Sequence, residues 1–137
     1  MKIIYHSYSP SYAAAVAAAM HIGILPGEYV PDNKQILSIP YFGRKYASCF
    51  GLFIYVGIDE GYNEVYILGT KNNISVVRNE LVSVDYILHM DEGVYYADVS
   101  GLDINISLPE QLYYMLLKKR YSAFIKAVSY VKNQISV

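Results

Sequence analysis

Tryptophan is absent from this chain, cysteine occurs once, and no long apolar run interrupts its 137 residues. The lone Cys49 excludes an internal disulfide and any cysteine-based zinc cluster, and it fits a reducing compartment. The longest apolar stretch, residues 12–20, is far short of the roughly 20 residues a membrane helix needs, so no membrane association is expected. An N-terminal lysine before an alanine-rich segment resembles a signal peptide, but polar residues 6–11 break its apolar region. A cytoplasmic protein is therefore expected. Charged residues are scarce at 17%, against 54% hydrophobic, which excludes a disordered tail. The net charge of −1 advertises neither nucleic acid nor an anionic membrane.

What the chain does have is tyrosine: 16 copies against four phenylalanines. It also has a divided charge. Residues 111–137 carry five bases and no acid, so a net of −6 falls on residues 1–110. Such a division favours self-association, with one subunit's basic helix meeting another's acidic surface, and a homodimer is the expected partner state.

Residues 2–6 read as a short buried strand ended by Ser-Tyr-Ser-Pro-Ser. Pro10, with Ser9 or Ser11 as cap, starts an alanine-rich helix over 12–22, and Gly23 stops it. Asp32 or Asn33 caps a second short helix to about Ile39, before Pro40. Residues 51–58 and 64–70 flank a five-residue turn and form a β-hairpin. Both faces of these strands are apolar, which implies helices packed on both sides. Asn73 caps a helix to about Leu88, and residues 94–99 form a fourth strand. Ser107, Pro109 and Glu110 start one or two helices to about Gln134, with Leu112, Met115, Leu116, Lys119, Phe124 and Ile125 facing inward. The expected fold class is α/β: a single compact layered domain over 1–137, with a mixed sheet of about four strands, a central β-hairpin and helices on both faces.

The stretch KIIYHSYSPSYAAAVAAAMHIGILP, with PYF at 40–42 and YVGIDEGYNEVYILG at 55–69, resembles a family of uncharacterised short Firmicutes proteins, a domain of unknown function. Its members begin Lys-Ile-Ile-Tyr-His-Cys-Tyr-Gly-Gly-x-His-Ser-Ser before an alanine-rich helix. The resemblance is close over 1–70, extends to YYADV, and fades after Asp98. It implies a fold and no activity. Ser7 stands where those proteins have cysteine, Ser9-Pro10 where they have Gly-Gly, and Tyr12 where they have histidine.

A strand running through a tight loop into a helix start is the geometry that favours anions. His6, Ser7, Tyr8, Ser9, Ser11, Tyr12 and Asp98 are accordingly the candidate ligand-binding residues, for a small anion or polar ligand. Catalysis there has weak support: a hydroxyl replaces the thiol, and residues 1–43 contain no arginine. His6 is the best acid/base, with Asp98 as its orienter. The leading expectation is a small binding or interaction protein, with a remnant anion-binding-type loop and no enzymatic activity. The alternative is a phosphoryl or acyl hydrolase using residues 7–12 with His6 and Asp98. His21 reads as structural, its imidazolium favoured by the helix C-terminus, and the acidic cluster Asp59, Glu60 and Glu64 reads as a solvated hairpin tip. The histidines lack ligand spacing, so no metal and no cofactor are expected. Tyrosines interleaved with Lys118, Lys119 and Arg120 suggest stacking beside phosphate contacts, but nucleic acid remains an unfavoured partner.

Overall fold

A computed structural model describes residues 1–43, 46, 49–71, 93–103 and 110–135. The expected helix over 73–88, His89 and the cap at Ser107 lie outside the described residues. Four strands form one sheet in the order β2–β3–β1–β4, where β1 is Lys2–Ser7, β2 Ile54–Ile58, β3 Glu64–Gly69 and β4 Val94–Asp98. Central β1 pairs parallel with both β3 and β4, and β2 pairs antiparallel with β3. The chain is thus an α/β domain on a mixed sheet, as its sequence implies.

The first helical segment opens with a π-helical turn, Pro10–Ala14, and continues as α1, Ala15–His21. Ser9 is the cap, and Gly23 stops the segment at φ 88°, a left-handed conformation that glycine adopts without a Cβ penalty. Asp32 and Gln35 form a reciprocal capping box on α2, Asn33–Leu37. The C-terminal region is one helix, α3, Glu110–Ile135.

Alternation along β1 turns Ile3 and Tyr5 toward α1 and α3, with Val65, Ile67 and Ala97 beside them on the same face. The run Ala13–Ala19 is buried along its whole length, because methyl side chains let the helix lie close to the sheet.

Two expectations need correction. The inward stripe of α3 is Tyr113, Leu117, Tyr121, Phe124, Val128 and Val131, while Leu112 and Met115 are exposed. The tyrosines explain the difference in phase, since they supply large apolar area with a hydroxyl that still finds a partner. Tyr113 stacks on Tyr12 at 4.9 Å, and the Tyr121 hydroxyl donates to the Pro26 carbonyl. Strand β2 is not buried on both faces. It lies at the sheet edge, where Tyr55 and Ile58 stay exposed.

Candidate functional site

Because β1, β3 and β4 are parallel, their C-terminal ends emerge together, the position where α/β sheets place ligands. The loop after β1 is tied to both neighbours. Thr70 and Lys71 donate their backbone N–H groups to the Ser7 and Tyr8 carbonyls, each at 3.0 Å, and Val99 donates to the His6 carbonyl at 3.0 Å. Gly69 permits the tight approach of this loop to β3. A Cβ there would lie 2.5 Å from Pro10 Cδ, 3.0 Å from Pro10 N and 3.1 Å from the Cys49 carbonyl oxygen.

The donors at the start of the helical segment are met from within. Asp103 follows a short 3-10 turn after β4, and its side chain is buried. Its Oδ2 accepts from Ser9 N at 3.3 Å and its Oδ1 from Ala13 N at 3.4 Å. A carboxylate thus bridges the loop and the first helical turn, where backbone N–H groups favour negative charge. Arg120 Nη1, from the middle of α3, donates to the Asp103 carbonyl at 3.3 Å, so the fold brings a guanidinium to a loop that has no arginine nearby in sequence.

The sequence-derived residues divide into groups. Ser7, Ser9 and Ser11 are buried. The Ser7 hydroxyl donates to the Ser9 carbonyl, and the Ser9 hydroxyl meets that of Ser11 at 3.0 Å and accepts from Ser11 N. Tyr12 is buried, its ring edge-on to Phe42 and stacked on Tyr113. Tyr8 is at the surface, edge-on to Phe50. His6 and Asp98 sit directly opposite each other across β1 and β4, with Nδ1 and Oδ1 3.8 Å apart. His6 is buried, whereas the Asp98 side chain is 53% exposed and accepts from Ser100 N at 2.9 Å.

A second polar constellation lies at the opposite end of the sheet and corrects the reading of His21 and Asp59. The Tyr5 hydroxyl is 2.7 Å from His21 Nδ1, and His21 Nε2 is 2.8 Å from Asp59 Oδ2. The carboxylate can only accept, so Nε2 carries the proton and Nδ1 accepts from Tyr5. Burial disfavours the charged ring and holds His21 below its ordinary value, against the pull of Asp59. The ring is therefore neutral rather than an imidazolium. Burial also pushes the Tyr5 phenol up. Burial resists ionisation of Asp59, but the His21 bond together with donors from Asn63 and Gly61 outweighs it, and the carboxyl stays below its usual range. Asp59 is no solvated tip residue: its side chain is 8% exposed and holds the β2–β3 turn. Of its acidic neighbours, Glu64 pairs with Lys2.

Neither Asp103 nor this three-residue chain was legible as a site, because their partners lie from 16 to 94 positions apart in sequence. Among the described residues no cluster of His, Cys, Asp and Glu could hold a metal ion, and no helix is long and apolar enough to cross a membrane.

Fold and loop together define an α/β protein whose strand–loop–helix is closed by an internal carboxylate. The chain belongs to the family described as "Protein of unknown function (DUF3189)", which it matches over residues 2–106. The match runs past Asp98 to include Asp103 and ends before α3. No curated protein and no solved structure matches the chain.

Proposed function

We propose that this is a binding protein that works as a homodimer without enzymatic activity, and that residues 5–14 are the remnant of an anion site filled by its own Asp103. The observation that carries the reading is the buried carboxylate on Ser9 N and Ala13 N. It meets donors that an external phosphate or carboxylate would use. The hydroxyl inventory supports the same reading. Ser7 donates to the Ser9 carbonyl, the Ser9 and Ser11 hydroxyls meet each other, and Tyr12 is packed between Phe42 and Tyr113.

A thermal-shift series tests this. Phosphate, acetate and nucleotides should leave the wild-type midpoint unchanged, while Asp103→Ala, which frees the two N–H groups, should gain a phosphate-dependent rise. A wild-type midpoint that climbs with phosphate, or a variant that stays flat, contradicts the proposal.

The hydrolase reading keeps one supporting observation, the in-register pairing of His6 and Asp98 at the ends of adjacent parallel strands. Turnover of an aryl phosphate or aryl ester by the purified protein, abolished in His6→Gln, would establish it.

A further inference from the structure

We infer that the outer edge of β2 is the homodimer interface, joining two copies by antiparallel β2–β2 pairing into one continuous eight-stranded sheet. The inference rests on the homodimer reading above and assigns it a surface at β2, in place of the contact through the basic helix that the charge division alone suggests. Among the described residues β2 forms its ladder with β3 alone, which leaves its other side as an edge. Strand edges that stay monomeric are blunted by lysine, proline, inward charge or a bulge. Residues 50–58 contain no charged residue and no proline, and the bulge between Tyr55 and Gly57 is the one such device. Leu52, Phe53, Tyr55 and Ile58 are all exposed along this segment, an aromatic and aliphatic set of the kind that anchors interfaces.

Charge identifies a second copy as the occupant. The C-terminal end of β2 runs into the acidic turn, where Glu60 is exposed. At its N-terminal end, Gly51 bonds to Gly69, and exposed Lys71 follows with its Nζ 5.2 Å from the Phe50 ring centre. A two-fold axis through the middle of the strand reverses one copy against the other. Each acidic turn then meets the Lys71 end of its partner, and only neutral side chains face each other between. Tyr62, in the same turn as Glu60, is 86% exposed and adds apolar area at that end.

Sedimentation equilibrium on the full chain tests the inference. Wild type should be a dimer and Tyr55→Lys a monomer at the same concentration, with unchanged far-UV circular dichroism. Tyr55 packs on Tyr66, so the exposed charges provide an arm that does not disturb folding. Glu60→Lys and Lys71→Glu should each weaken dimerisation about tenfold, since two-fold symmetry counts every change twice, and the double reversal should restore it. A dimer unaffected by all three single substitutions overturns the β2 interface and leaves the homodimer standing. A wild-type monomer at the highest soluble concentration overturns both.

Discussion

Asp59→Ala should be among the most costly single changes at a partly exposed turn in this protein. The substitution removes the acceptor of His21 Nε2, which the 2.8 Å bond places among the short, charge-assisted kind. It also removes the acceptor for Gly61 N and Asn63 N, each at 2.9 Å, so the turn between β2 and β3 loses its internal brace. Loss of a buried bond to a charged group costs about 2–3 kcal/mol, because the histidine donor is left without a partner away from water. The turn bonds add less, since water can replace Asp59 there. A total of about 3 kcal/mol, for 137 residues with an unfolding entropy near 2.1 cal/mol/K each, corresponds to a fall in midpoint of about 10 °C.

The same chain gives the stability a pH dependence of fixed sign. His21 is held below its unfolded value of 6.5, so the unfolded state takes up the proton first. Its contribution is complete above 6.5 and is lost as pH falls toward the depressed folded value. Asp59 is likewise depressed from 3.8, and its contribution is lost in a second step at lower pH. The groups facing His21 are Tyr5 on β1, Asp59 on the turn and, at longer range, Lys132 on α3, which also disfavours protonation. Urea unfolding followed by far-UV circular dichroism suits a chain without tryptophan. Wild type should weaken as pH is lowered below 6.5, and His21→Gln should lack that first step. An Asp59→Ala protein within about 1 kcal/mol of wild type, or a wild type whose stability is flat between about pH 7 and about pH 5, refutes the argument.

Two further substitutions probe the other end of the sheet. Gly69→Ala drives a methyl group into Pro10 and the Cys49 carbonyl, neither of which is a flexible side-chain end. It should cost about 3 kcal/mol or more in urea unfolding, and a loss under about 1 kcal/mol would mean the loop is free to move away. Asp103→Ala leaves two backbone donors without their acceptor and should cost about 2 kcal/mol without added anion; Asp103→Asn, which keeps an acceptor oxygen, should recover part of this.

Local elements were readable from local chemistry. Ser9 and Pro10 announce a helix start, Gly23 its stop, Asp32 the cap of a second short helix, and two β-rich runs around a five-residue turn a hairpin, because each signal acts over a few residues. The phase of α3 was not readable, since a tyrosine suits a surface and a core equally until its hydroxyl finds an acceptor such as the Pro26 carbonyl. The pairing of His6 with Asp98 required the strand order, which hydrophobic pattern does not carry. Asp103, an ordinary loop acid in sequence, became the cap of a loop about 90 residues earlier only once β4 was laid beside β1. His21 and Asp59 read as a helix-end cation and a solvated carboxylate, and packing against Tyr5 made them a neutral ring and a buried acceptor. The sequence by itself determined the α/β class, the elements with short-range signals, and the scarcity of the groups that metal or thiol chemistry requires. Only the tertiary structure decided which polar groups meet, because a buried hydrogen bond depends on distance in space and on exclusion of water, and neither is written in the order of the chain.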